Sequence, residues 1–198
     1  MGWDTDGTRR RLRDAALTEF AARGFDGTTV AAIATRSGVN KERLYSYFGD
    51  KQGLWDLVLT TELERLAAGV ELTGVGLDDI GEFAGATYDY HAEHPELSRL
   101  LQWEGLQTGP PTQVDVRTRH YREKVARVAD AQRHGFIDPE IDPALLLFTL
   151  IALAAWWQTV PQLAEMITGS GADDRAAREA RRRFVVEAAR RIAAPAGS

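Results

Sequence analysis

No cysteine occurs among the 198 residues. That absence excludes a disulfide framework and a thiolate metal site, and it fits a reducing cytosol. Segments alternating apolar and polar residues with period two are almost missing, and β-branched residues are scattered, so a sheet has little to build on. No internal repeat is evident. The longest apolar run, Leu145–Val160, has 16 residues and holds Thr149 and Gln158. It is short for a membrane span and suits a buried helix. The chain has no glycine-rich phosphate loop and no G-x-S-x-G turn, and His120 and His134 have no evident nucleophile beside them. These absences argue against an enzyme. The charged start (Asp4, Asp6, Arg9, Arg10, Arg11) is unlike a secretory signal. The expectation is a cytoplasmic chain with no membrane partner and no cofactor.

What is present is helical. With 44% apolar residues the chain can build a core, and the patterning predicts an all-α fold of about nine helices. A first helix is expected over Thr8–Arg23, with Leu12, Ala16 and Phe20 on one face and Gly24 closing it in the left-handed conformation. Thr28 or Thr29 caps a second helix with Val30, Ile33 and Ala34 inward, and Gly38 ends it. Asn40 caps a third that ends near Phe48. Gly49 breaks the chain, and Asp50 caps a fourth running toward Ala68. After a glycine-rich connection (Thr73–Asp79), helical patterns cover 79–93, 95–107, 113–134, 143–168 and 173–193, with Pro161 kinking or ending its helix.

The stretch Thr28–Trp55 has the layout of a helix-turn-helix, whose second helix enters a DNA groove. At 100° per residue, Leu44 and Phe48 fall within about 40° of each other and anchor the third helix. Glu42, Arg43 and Ser46 then face outward, flanked by Tyr45 and Tyr47. Arg43 suits guanine, Glu42 a cytosine amino group, Tyr45 a thymine methyl, and Lys41 a base edge or a phosphate. Thr28 and Thr29 at one helix start and Lys51 at another are expected to grip phosphates. A solvated helix face would carry the same outward charges; the ordered caps and turns favour DNA. The net charge of −5 hides an asymmetry: residues 1–55 carry nine Lys/Arg against seven Asp/Glu, and the remainder fifteen against twenty-two. So weakly basic a head must place its contacts well rather than rely on bulk charge.

Three segments carry a resemblance: F-x-x-x-G-F-D-G-T-T-V (Phe20–Val30), I-A-x-x-S-G-V (Ile33–Val39) and L-Y-S-Y-F-G-D-K (Leu44–Lys51). They resemble the tetracycline-repressor (TetR) family of bacterial transcription regulators over roughly residues 8–56. The resemblance implies a DNA-binding domain over 1–55 and a ligand-binding and dimerisation domain over 56–198. It places Lys41, Glu42, Arg43 and Tyr45 at bases, and Thr28, Tyr47 and Lys51 at phosphates. It also implies a repressor that binds a near-palindromic operator in double-stranded DNA as a homodimer and releases it for a small, largely apolar ligand. Two departures are visible. Ala31 and Ala32 stand where a capping-box acid would, and Gly53 is a poor helix former in the first turn of the fourth helix.

In the larger domain, Phe83, Thr87 and His91 share a helix face, Tyr121 and Val125 share another, and Trp103, Phe148 and Trp156 are bulky enough to line a cavity. Plain core packing explains the same residues. The helix over 143–168 is apolar nearly all round and must be covered on more than one side. By the resemblance it forms a four-helix bundle with the last helix and a two-fold mate, at Leu146, Leu150, Leu153, Trp157, Phe184, Ala188 and Ile192. The arginines of that last helix have a second reading as a nucleic-acid patch, although no aromatic interleaves with them. His91 and His94 near Asp89, Glu93 and Glu96 make a weak metal site, and none is expected.

Overall fold

The computed structural model describes residues 5–74 and 76–196. Among them the chain is all-α, with ten helices and no strand. In order they are α1 (Thr5–Gly27), α2 (Val30–Ser37), α3 (Lys41–Phe48), α4 (Lys51–Gly69), α5 (Leu77–Glu93), α6 (Pro95–Gly105), α7 (Val114–Arg133), α8 (Pro143–Thr159), α9 (Pro161–Thr168) and α10 (Arg175–Ala193). The helix expected over 143–168 is two helices. Val160 leaves helical geometry (φ −131°, ψ 59°) and Pro161 starts α9 at its first position, where the missing N–H costs nothing. The two axes meet at 87°. Among the described residues no single helix is long and apolar enough to cross a membrane.

The chain falls into two compact units. The first holds residues up to Arg65 together with Glu96–Val114, and the second holds Leu66–Pro95 and the residues from Asp115 on. α4 runs through residue 55 without a break. The core of the first unit is Leu12, Phe20, Ile33, Leu44, Leu54 and Trp55, with Leu100 of α6. Trp55 meets Phe20 edge-on at 5.1 Å. Each such buried side chain is worth about 1.5–3 kcal/mol of transfer free energy.

Gly24 kinks α1 at φ 69°. A Cβ there would lie 2.8 Å from the Trp103 ring, so both backbone and packing require glycine. Trp103 Nε1 and Arg99 Nε donate to the Ala21 carbonyl at 3.3 and 2.8 Å, satisfying an acceptor that the kink frees from its helix.

The second unit packs Ile80, Phe83, Tyr88, Val128, Leu146, Leu150, Val185 and Ala189 into one core. Ion pairs brace α10 against α5: Arg178 to Glu93 at 3.8 Å, Arg182 to Asp89 at 2.6 Å and to Glu82 at 3.1 Å, and Arg190 to Asp78 at 3.0 Å. Arg175 and Arg191 pair within α10, with Glu179 and Glu187. Five of the seven arginines of α10 therefore bring their own counter-ions, which weighs against the second reading of this helix as a nucleic-acid patch.

Candidate nucleic-acid interface

The candidate reading helix, α3, is built from its ends. Thr29 caps α2, its Oγ1 accepting from Ala32 N–H at 3.1 Å. Gly38 closes α2 in the left-handed conformation (φ 66°), its N–H reaching Ala34 and Thr35 carbonyls. Asn40 Oδ1 then accepts from Arg43 N–H at 3.1 Å and starts α3. Asp50 Oδ1 accepts from Gly53 N–H at 2.8 Å and starts α4. Gly53 has a steric reason: a Cβ there would fall 2.2 Å from the Phe48 carbonyl oxygen. The residue that looks like a weak point in a helix is the one that allows so tight a turn.

α3 has eight residues, a rod of about 12 Å. Leu44 is fully buried, and Phe48 and Tyr47 pack against the same core from the flanks. Lys41, Glu42, Tyr45 and Ser46 are exposed and Arg43 is half-buried. The structure thus brings the five expected base-reading residues onto one short helix whose opposite side is anchored.

The expected phosphate residues divide. Thr29 is exposed and Tyr47 half-buried. Thr28 is a correction: it is 1% exposed, and its hydroxyl donates to the Gly24 carbonyl at 2.7 Å and the Glu19 carbonyl at 3.0 Å. Those bonds close the end of α1 and leave nothing for a phosphate. Lys51 is half-buried, with Nζ donating to the Phe25 and Thr28 carbonyls at 2.9 and 3.1 Å and lying 4.1 Å from the Phe25 ring centre. Its charge sits under the corner between α1 and α2.

Two further features are not evident from the sequence pattern. Glu19, 4% exposed, holds Arg23 at 2.7 Å and Arg36 at 2.6 Å, tying α2 to α1. The only hint is the i, i+4 spacing of Glu19 and Arg23, since Arg36 is seventeen residues away. A groove of about 580 Å³ is lined by Arg9, Arg10, Arg13, Tyr47 and Phe48 among others, and Arg9 stacks over Tyr47 at 5.1 Å. The sequence shows these arginines only as a basic start.

In the second unit the expected pocket set comes apart. Phe83, Thr87 and His91 are together and buried, and Val125 packs on the same core. Burial, with His94 a smaller cause, pushes the His91 pKa down to about 4. Lys124, which the pattern does not single out, is 8% exposed. It donates to the Val70 carbonyl at 2.8 Å and lies 4.9 Å from the Phe83 ring centre; burial lowers its pKa.

The other four expected pocket residues lie elsewhere. Trp103 belongs with α1 in the first unit, and Tyr121 is exposed. Phe148 and Trp156 are 71% and 57% exposed, because a helix apolar all round turns other residues inward. Those residues are Leu146 and Leu150, expected at a dimer interface and buried instead in the protomer's own core. Leu153, Trp157 and Ala188 are half-buried, and Phe184 and Ile192 exposed. A cavity of about 280 Å³ in this unit is lined by Glu71, Leu72, His120, Glu123, Lys124 and Arg127, with Ala67, and by none of the expected pocket residues.

A capped short helix behind a left-handed glycine turn, on an all-α chain, defines a helix-turn-helix DNA-binding protein. Residues 12–58 match the bacterial regulatory proteins of the tetR family, and residues 79–191 match the tetracyclin repressor-like C-terminal domain. The chain is 39% identical over 192 residues to the HTH-type transcriptional repressor SCO4008 of Streptomyces coelicolor, covering 96% of each protein. It is 30% identical to the HTH-type transcriptional regulator RutR of Escherichia coli K12, covering 82% of this chain and 79% of that one. The crystal structure of SCO4942, described as a transcriptional regulator of Streptomyces coelicolor, is similar with a TM-score of 0.80 and 31% identity, over 94% of this chain and 98% of that one. This chain belongs to the tetracycline-repressor family of transcriptional regulators.

Proposed function

We propose that this chain is a dimeric repressor that binds a near-palindromic operator in cytoplasmic DNA and leaves it when a small, largely apolar molecule binds. Residues 1–55 bind DNA in this reading, and residues 56–198 take the ligand and the partner copy. The observation that carries it is the open side of α3: Lys41, Glu42, Tyr45 and Ser46 are exposed while Leu44 behind them is fully buried. Arg43 belongs to the same reading set. Thr29, Tyr47 and Lys51 take the backbone, Lys51 by its charge beneath the α1–α2 corner, and Arg9 and Arg10 extend that footprint. The exposed side chains of Leu145, Phe148 and Trp156 on α8, and of Phe184 and Ile192 on α10, support an interface with a second copy. The ligand must prefer the DNA-free form, since equal affinity for both forms shifts nothing.

Selection of bound DNA from a random pool tests this reading. A near-palindrome with half-sites about 34–36 Å apart is expected, together with a dimer mass by light scattering at micromolar concentration. A pool without enrichment, or a monomeric mass, overturns it.

A further inference from the structure

α10 carries seven arginines. Arg175, Arg178, Arg182, Arg190 and Arg191 each meet a carboxylate, and Arg183 is open to water. Arg181 is the exception. It is 8% exposed, and among the described residues it has no carboxylate partner. Its Nη groups donate to neutral acceptors only: the Gly171 carbonyl at 3.4 Å, Thr168 Oγ1 at 3.1 Å and the Ser170 carbonyl. The guanidinium lies 5.4 Å from the centre of the Trp157 ring. Its Nε–H has no acceptor, and neither has the hydroxyl of Tyr88, which is 1% exposed. Burial raises the Tyr88 pKa, and the Asp89 carboxylate, already paired with Arg182, raises it too, while the Arg181 and Arg178 charges and a hydrogen bond donated by Arg181 to the Tyr88 oxygen pull against it.

Buried donors are nearly always hydrogen-bonded, and buried charges nearly always compensated. Here two orphan donors and an uncompensated cation share one place, between α5, α8 and α10. What that place lacks is an acceptor carrying negative charge. Water would accept the bonds and leave the charge unbalanced. A carboxylate oxygen can accept from Arg181 Nε–H and Tyr88 Oη–H, and it supplies the charge as well. We infer that Arg181 and Tyr88 form the binding site for the carboxylate of a small organic acid, with Trp157 as its apolar wall. The inference rests on the proposed ligand response and gives that ligand a chemical class: an acid group on an apolar body.

Titration calorimetry on the full chain tests it, with sodium acetate and sodium benzoate against sodium chloride at equal ionic strength. Saturable binding, one carboxylate per protomer, is expected for at least one of the two acids and not for chloride. Tyr88→Phe keeps the ring and removes one donor, so carboxylate affinity falls about tenfold or more. Arg181→Gln abolishes the response; should that variant not fold, Tyr88→Phe decides alone. Equal heats with chloride, unchanged affinity in Tyr88→Phe, or a crystal grown in acetate with only water between the two side chains overturns the site. Saturable carboxylate binding that leaves selected DNA bound overturns the ligand-controlled reading and keeps the site. Release of DNA by benzoate, undiminished in Tyr88→Phe, overturns the site and keeps the reading.

Discussion

α3 and α10 both turn charge outward, and they spend it differently. On α10 five arginines are held by carboxylates of α5 or of their own helix. On α3, Lys41 and Glu42 make no ion pair among the described residues, and Tyr45 is 51% exposed. A cation already matched by a neighbour has little field left for a phosphate, and recruiting it would break a pair. A helix with seven arginines is thus the bracing element, and one with a single arginine is the candidate reader. Arginine density marks neither role; what each charge already touches does.

The largest effect tests the anchoring of α3. Leu44→Ala should cost about 2–5 kcal/mol, because it empties a fully buried site, and urea unfolding reads it directly. A variant as stable as the parent would show that α3 does not depend on this anchor. On the side of the molecule that α10 braces, His91 should make the second unit acid-sensitive. Its folded pKa of about 4 lies below the ordinary 6.5, so the unfolded chain takes up the proton first as pH falls. Stability should be complete above pH 6.5 and drop by up to about 3 kcal/mol toward pH 4, and His91→Gln should flatten that profile.

Arg43→Ala should lose about 1–3 kcal/mol at one base position and relax the preference there. Lys51→Ala should weaken all sequences alike and flatten the salt slope. Binding assays on selected DNA at two salt concentrations separate the two. The smallest effect sharpens the contrast from the other side. Arg175→Ala with Arg191→Ala removes exposed i, i+4 pairs, so stability should change by less than about 1 kcal/mol. DNA affinity and salt slope should stay as they are; a shallower slope would place α10 on DNA after all.

The head is legible in the sequence because its signals are local. Asn40, Gly38, Thr29 and Asp50 act within four residues of themselves, and the pattern names each cap before any packing is known. The rest depends on packing. Thr28 and Thr29 have the same chemistry, and only the folded corner turns one hydroxyl onto the Gly24 carbonyl and leaves the other to cap α2. Glu19 and Arg36 meet across seventeen residues. α8 is apolar on every side, so its period could not tell that Leu146 and Leu150 go in while Phe148 and Trp156 stay out. The packing of Trp103 is hidden for a related reason: its partner, Gly24, lies far back in the chain and shows no sign of needing a ring beside it.

The division of labour in α3 also bears on how such a protein diverges. Its foundation rests on Leu44, the Asn40 cap and two glycine turns, none of which is among the outward residues. Glu42, Ser46 and Tyr45 can therefore be exchanged by single-codon steps at little cost to folding. Under the proposed function, a duplicated copy could drift to a new operator while keeping its architecture, which makes these few positions a natural place to begin retargeting the chain by design.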